Sequence, residues 1–134
     1  MKYLADSHYK QSLFVSFLLP ILIAVLIVAC SDPTAPRSPI EGNWLADEGW
    51  IVVDLRLADD GGRVTAAGKI FSDVEPKGFE VEGHGIFVSP TLSLMFDPDE
   101  YAPFNITATF FGDSLVAIAS GSGFYGDILV FHRQ

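Results

Sequence analysis

The chain reads as an all-β fold, a small antiparallel up-and-down meander barrel of about eight strands. Three observations predict it. From Trp44 onward apolar residues recur at every second position, the period of a half-buried strand. Turn-forming clusters such as Asp59-Asp60-Gly61-Gly62, Ser89-Pro90 and Gly112-Asp113 punctuate these runs at short intervals. No stretch of the body repeats its apolar residues at helical spacing. An open sandwich of six or seven strands fits the same pattern, but a closed barrel also removes the exposed edges.

Trp44 sits on a short first strand. In the second, Ile51, Val53, Leu55 and Leu57 alternate with Val52, Asp54 and Arg56. A turn centred on Asp60-Gly61 pairs Leu57 with Val64, Leu55 with Ala66 and Val53 with Gly68. The third strand aligns Val64, Ala66, Gly68 and Ile70, and the fourth, FEVEGHGIF, aligns Phe79, Val81, Gly83, Gly85 and Phe87. A turn near Glu75-Pro76 pairs Ile70 with Val81 and sets Lys69 opposite Glu82. Thr91–Phe96 then places Leu94 and Phe96 against Gly85 and Gly83. Asn105–Phe111, Ser114–Ser120 and Asp127–Arg133 complete the set, with GSGFYG as the link before the last strand. A one-residue slip would turn each apolar set outward, so this mutual agreement supports the meander.

The N-terminal part is of another kind. Lys2 and Lys10 precede the 17-residue uncharged run Leu13–Ala29, the layout of a secretory signal, with a permanent N-terminal span as the alternative. The run ends in Ile27-Val28-Ala29-Cys30, which resembles the lipobox of bacterial lipoproteins. The resemblance implies cleavage before Cys30, the chain's single cysteine, and a diacylglyceryl thioether on its sulfur, with residues 1–29 removed as a signal peptide. Several acyl chains give stable attachment at about 0.8 kcal/mol per buried CH₂, so the membrane, reached through the Cys30 lipid, is the first expected partner. Ser31 directly after the cysteine implies the outer membrane within a two-membrane envelope. Residues 30–41 hold Pro33, Pro36 and Pro39 and read as an extended tether, leaving 42–134 as the barrel domain.

Gly42-Asn43-Trp44 at the start of the body and Arg133 on its last strand resemble the calycin pattern of lipocalins and avidins. That resemblance implies a guanidinium lying over the Trp44 indole and closing one barrel end. It carries over no ligand site.

Composition narrows the function. The net charge is −9, and every acidic residue except Asp6 follows Cys30. Such a body repels phosphate backbones and has no basic stripe, so nucleic acid is not an expected partner. No cofactor or metal motif is present. His84 alternates with Glu80 and Glu82, so it could join a metal or acid–base pair but reads as a solvated face residue; His132, beside Arg133, reads as a bystander, and Ser114 lacks a nucleophile-elbow setting. Asp97-Pro98-Asp99-Glu100 lacks the spacing and glycine of a calcium loop. The sharper candidate is an apolar pocket: Ala66, Gly68, Gly83 and Gly85 would leave inward space lined by Trp50, Phe79, Phe87 and Phe96. The competing reading is that bulky neighbours fill that space, or that the glycines mark bends, as a narrow barrel favours. The expectation is a non-enzymatic, lipid-anchored binding or structural module of the envelope, meeting an envelope protein or a small apolar ligand. The alternative is a lipocalin-like carrier of that ligand at the membrane surface.

Overall fold

The structure is a computed structural model and describes residues 37–134. The expected signal peptide, Cys30 and most of the expected tether lie outside the described residues. Eight strands follow in order: β1 (Gly42–Asp47), β2 (Ile51–Asp60), β3 (Arg63–Ser72), β4 (Phe79–Val88), β5 (Thr91–Phe96), β6 (Phe104–Phe110), β7 (Ser114–Gly121) and β8 (Phe124–Arg133). Each pairs antiparallel with the next, and β8 returns to β1, closing an up-and-down barrel. The architecture is consistent with a lipocalin-like body.

The alternating residues do what their period demands. Val53, Leu55 and Leu57 of β2, Leu92, Leu94 and Phe96 of β5, and Leu115, Ala117 and Ala119 of β7 point inward and are buried. Among the described residues no polar or charged one is buried. The residual void at mid-barrel, among Leu55, Leu94, Ile106 and Phe131, is about 10 Å³. That is barely the space of one water, so the interior is filled.

The registers of the first two hairpins differ from those expected by two residues. Leu57 faces Ala66 and Leu55 faces Gly68; Ile70 faces Phe79 and Lys69 faces Glu80 rather than Glu82. The first turn is Gly61-Gly62, with φ of 62° and 94°. Two successive left-handed residues make the tightest hairpin, and glycine enters that region without strain. Asp60 therefore stays in β2, while the Asp59 carboxylate accepts a hydrogen bond from the Gly62 amide at 2.8 Å. In the second hairpin the Ser72 hydroxyl and the Glu75 carbonyl accept from the Glu75 and Gly78 amides, so the loop holds 73–78 and β4 begins at Phe79. A two-residue shift keeps every side chain on its expected face. Leu94 faces Gly85 and Phe96 faces Gly83, the expected β5 register.

Two further differences matter for the site. GSGFYG is not a link outside the sheet: Ser122-Gly123 is a two-residue turn, and Phe124 already pairs with Gly121 on β8. The segment just before β1 also packs onto the barrel. Ile40, in the proline-rich segment, is fully buried, because the Trp44 indole N–H needs an acceptor and finds the Ile40 carbonyl at 2.8 Å.

Candidate functional site: the two ends of the barrel

In a meander, alternate connections gather at opposite ends. The turns 61–62, 89–90 and 111–113 share one end with the 37–41 segment and the C-terminus. The connections 48–50, 73–78, 97–103 and 122–123 share the other.

The first end is sealed. Trp44 is fully buried, and the Arg133 guanidinium lies over its ring, 4.4 Å from the centroid. Arg133 Nη1 donates to the Glu41 carbonyl at 2.7 Å, and Nη2 donates to the Pro39 carbonyl. One side chain thus stacks on the indole and clasps the segment carrying Ile40 across the opening. The cation–π component is worth about 0.5–2 kcal/mol. Phe110 meets Trp44 and Phe87 edge-on, with centroids 6.4 Å apart in each pair.

The second end is a mouth, and the cause is the shortness of β1. Only Trp44, Leu45 and Ala46 pair with β8, opposite Arg133, His132 and Phe131. Below that point β8 has no β1 partner. The Val130 amide instead donates to the Glu48 carboxylate at 2.9 Å, and Trp50 lies against Phe124 with centroids 6.3 Å apart. Aromatic side chains line the opening. Phe79 stacks on Tyr101 at 4.2 Å, Phe104 on Phe96 at 4.7 Å, and Phe124 leans on Phe104 at 5.5 Å. Between them is a cavity of about 250 Å³, with Trp50, Phe79, Tyr101 and Phe124 as walls and Glu75 at the lip. The Tyr101 hydroxyl donates to the Glu75 carboxylate at 3.3 Å. Partial burial, then the charges of Glu75 and Glu100, push the Tyr101 phenol above its ordinary pKa of 10.0.

The residues singled out in sequence are thereby sorted. Trp44 and Arg133 meet at the sealed end. Trp50 and Phe79 meet at the mouth, and fully buried Phe96 forms its floor through Phe104. Phe87 lies at the opposite end. Gly83 and Gly85 do not open a pocket. A Cβ on Gly83 would come within 2.6 Å of the Phe96 ring, and one on Gly85 within 1.7 Å of the Ser93 carbonyl oxygen. These glycines admit a ring and a neighbouring strand, so the inward space is taken. The candidate pocket of Trp50, Phe79, Gly83, Gly85, Phe87 and Phe96 is therefore not one cavity. Sequence reasoning missed Val74, Tyr101, Phe104, Phe124 and the Glu75 lip; aromatic residues beside the mouth loops pointed at most to Tyr101, Phe104 and Phe124, and nothing marked Val74 or Glu75.

His84 and His132 are exposed, and the Ser114 hydroxyl donates only to Asp113, at 3.3 Å. Among the described residues no three His, Cys, Asp or Glu side chains converge as metal ligands. Larger surface depressions, of about 430 and 600 Å³, lie on the outer wall of β2–β4 and beside residues 37–42. Side chains of both charges line them and no apolar enclosure forms. The outward positions of β5–β7 (Thr91 to Met95, Asn105 to Thr109, Ser114 to Ser120) carry no charged side chain, and Met95, Val116 and Ile118 are exposed there.

No family model, curated protein or solved structure matches the chain.

Proposed function

We propose that the protein is a lipid-anchored lipoprotein of the cell envelope whose barrel is a non-enzymatic binding module, and that it binds at the aromatic mouth. The observation that carries the binding part is the contrast between a filled interior and the half-open aromatic cavity of about 250 Å³ at one end. A carrier that encloses its ligand along the barrel axis has no room. The mouth is slightly below the usual range of small-molecule sites, about 300–1,000 Å³, and suits one compact apolar group. The anchoring part rests on the lipobox-like Ile27-Val28-Ala29-Cys30 and the uncharged run before it. Within the described residues, the segment leading into β1 lies at the sealed end, opposite the mouth. A second reading, a structural module docking an envelope protein, is favoured by the uncharged outer wall of β5–β7.

Benzyl alcohol, a small neutral aromatic, tests the mouth. In NMR titrations its shift changes are expected at Trp50, Tyr101, Gly123 and Phe124. Changes centred on Leu55 and Ile106 would instead mean binding within the barrel, and no saturable change would end the mouth reading. For the anchor, Cys30→Ala is expected to abolish fatty-acid labelling in cells; persistent labelling would refute it.

A further inference from the structure

We infer that the mouth recognises an organic cation, an ammonium group carried on a compact apolar body. The inference rests on the mouth reading and adds the ligand's charge. Two independent features of the same cavity converge on it. The first is the wall: it is built from four aromatic side chains, Trp50, Phe79, Tyr101 and Phe124, and a ring attracts a cation wherever its face is met. The second is the charge of the connections that frame it. They carry six carboxylates (Glu48, Asp73, Glu75, Asp97, Asp99, Glu100) against one basic residue, Lys77. Lys69, the other basic residue of this half, is on the outer wall between Asp54 and Glu80.

The sealed end is nearly balanced, since Arg37, Arg63 and Arg133 stand there with Glu41, Asp59, Asp60 and Asp113. Tyr101 lies in the field of the mouth: burial first, then the charge and hydrogen bond of Glu75 and the charge of Glu100, raise its phenol above the ordinary pKa of 10.0. An anion would meet both the carboxylates and the ring faces as repulsion. A neutral guest gains only burial. A metal cation needs several converging oxygens, and among the described residues no such group forms. An ammonium with methyl or methylene groups satisfies both features: its carbon surface packs on the rings while its charge stays near Glu75 at the lip.

Three probes of one shape separate charge from shape: choline, its uncharged isostere 3,3-dimethylbutan-1-ol, and the anion 3,3-dimethylbutanoate. Trp50 emission reports occupancy, since Trp50 is 46% exposed at the mouth whereas Trp44 is fully buried at the other end. Choline is expected to bind about tenfold or more tightly than the alcohol and to weaken with added salt, with no binding of the anion. Glu75→Gln should weaken choline several-fold and leave the alcohol unchanged. Tyr101→Leu, at an exposed loop position, should also weaken choline selectively. Equal affinity for choline and the alcohol, or tighter binding of the anion, overturns the inference. If benzyl alcohol still maps to the mouth, that result leaves the mouth reading intact. If benzyl alcohol does not map there either, both fail.

Discussion

The two ends of this barrel are built from similar materials to opposite effect. Each has aromatic residues and a charged group beside them. At the sealed end the charge is a guanidinium, fixed on an indole and hydrogen-bonded to two carbonyls of the entering chain. At the mouth the charges are carboxylates on longer loops, and the paired rings leave a cavity of about 250 Å³ between them. The difference starts in strand length. β1 reaches β8 only from Trp44 to Ala46, so pairing completes the barrel at one end and stops short at the other. Stability should therefore depend on the sealed end, and recognition on the mouth.

Trp44→Ala should break that division most severely. It empties a fully buried site, removes the Nε1 bond to Ile40 and leaves Arg133 with nothing to cover. A loss of about 4 kcal/mol is expected, a large share of the roughly 5–15 kcal/mol of a small domain. Urea unfolding monitored by circular dichroism measures it. A cost below about 1 kcal/mol would mean that the sealed end does not hold the fold.

Gly85→Ala comes next, at about 3 kcal/mol in the same measurement. Its methyl would lie 1.7 Å from the Ser93 carbonyl oxygen, so β4 and β5 must part. Neutral behaviour would show that the strands are not so closely approached at this bend.

Trp50→Ala belongs to the other side of the comparison. Its ring is already 46% exposed, so truncation should cost about 1 kcal/mol or less while removing one wall of the cavity. The expected outcome is a nearly unchanged unfolding midpoint with benzyl alcohol binding lost. A large destabilisation would make the mouth a structural element instead.

How far these ends are legible in the sequence follows the same division. The strand faces were readable because a period of two survives even a two-residue error in the turn: Leu57 faces inward whether it meets Val64 or Ala66. The pairing of Trp44 with Arg133 came from the resemblance to the calycin pattern, and the closure of β8 on β1 sets the two opposite each other. The mouth was hidden. Tyr101 and Val74 sit in loops with no periodicity, and Phe124 stands in a run whose Ser122-Gly123 turn is too short to stand out from a general glycine-rich link. Ile40 was concealed by its prolines, since only the three-dimensional position of the Trp44 indole turns a tether residue into part of the core.

The smallest expected effect is electrostatic and concerns Tyr101. Its phenol donates to Glu75 and is held above the ordinary value of 10.0 by partial burial, then by the Glu75 and Glu100 charges. The folded protein thus keeps this proton at pH values where the unfolded chain has lost it. The resulting stability is present below about pH 10 and is lost as pH rises from there through the folded pKa. It should be slight, because Tyr101 is 37% exposed and water screens the field. Ring-carbon NMR shifts followed against pH should place the Tyr101 transition above that of the denatured chain. Glu75→Gln should lower it by removing both the nearest charge and the acceptor that favours the protonated phenol. A transition unmoved by Glu75→Gln would mean that the lip carboxylate does not act on the mouth, and the electrostatic contrast between the two ends would lose its closest probe.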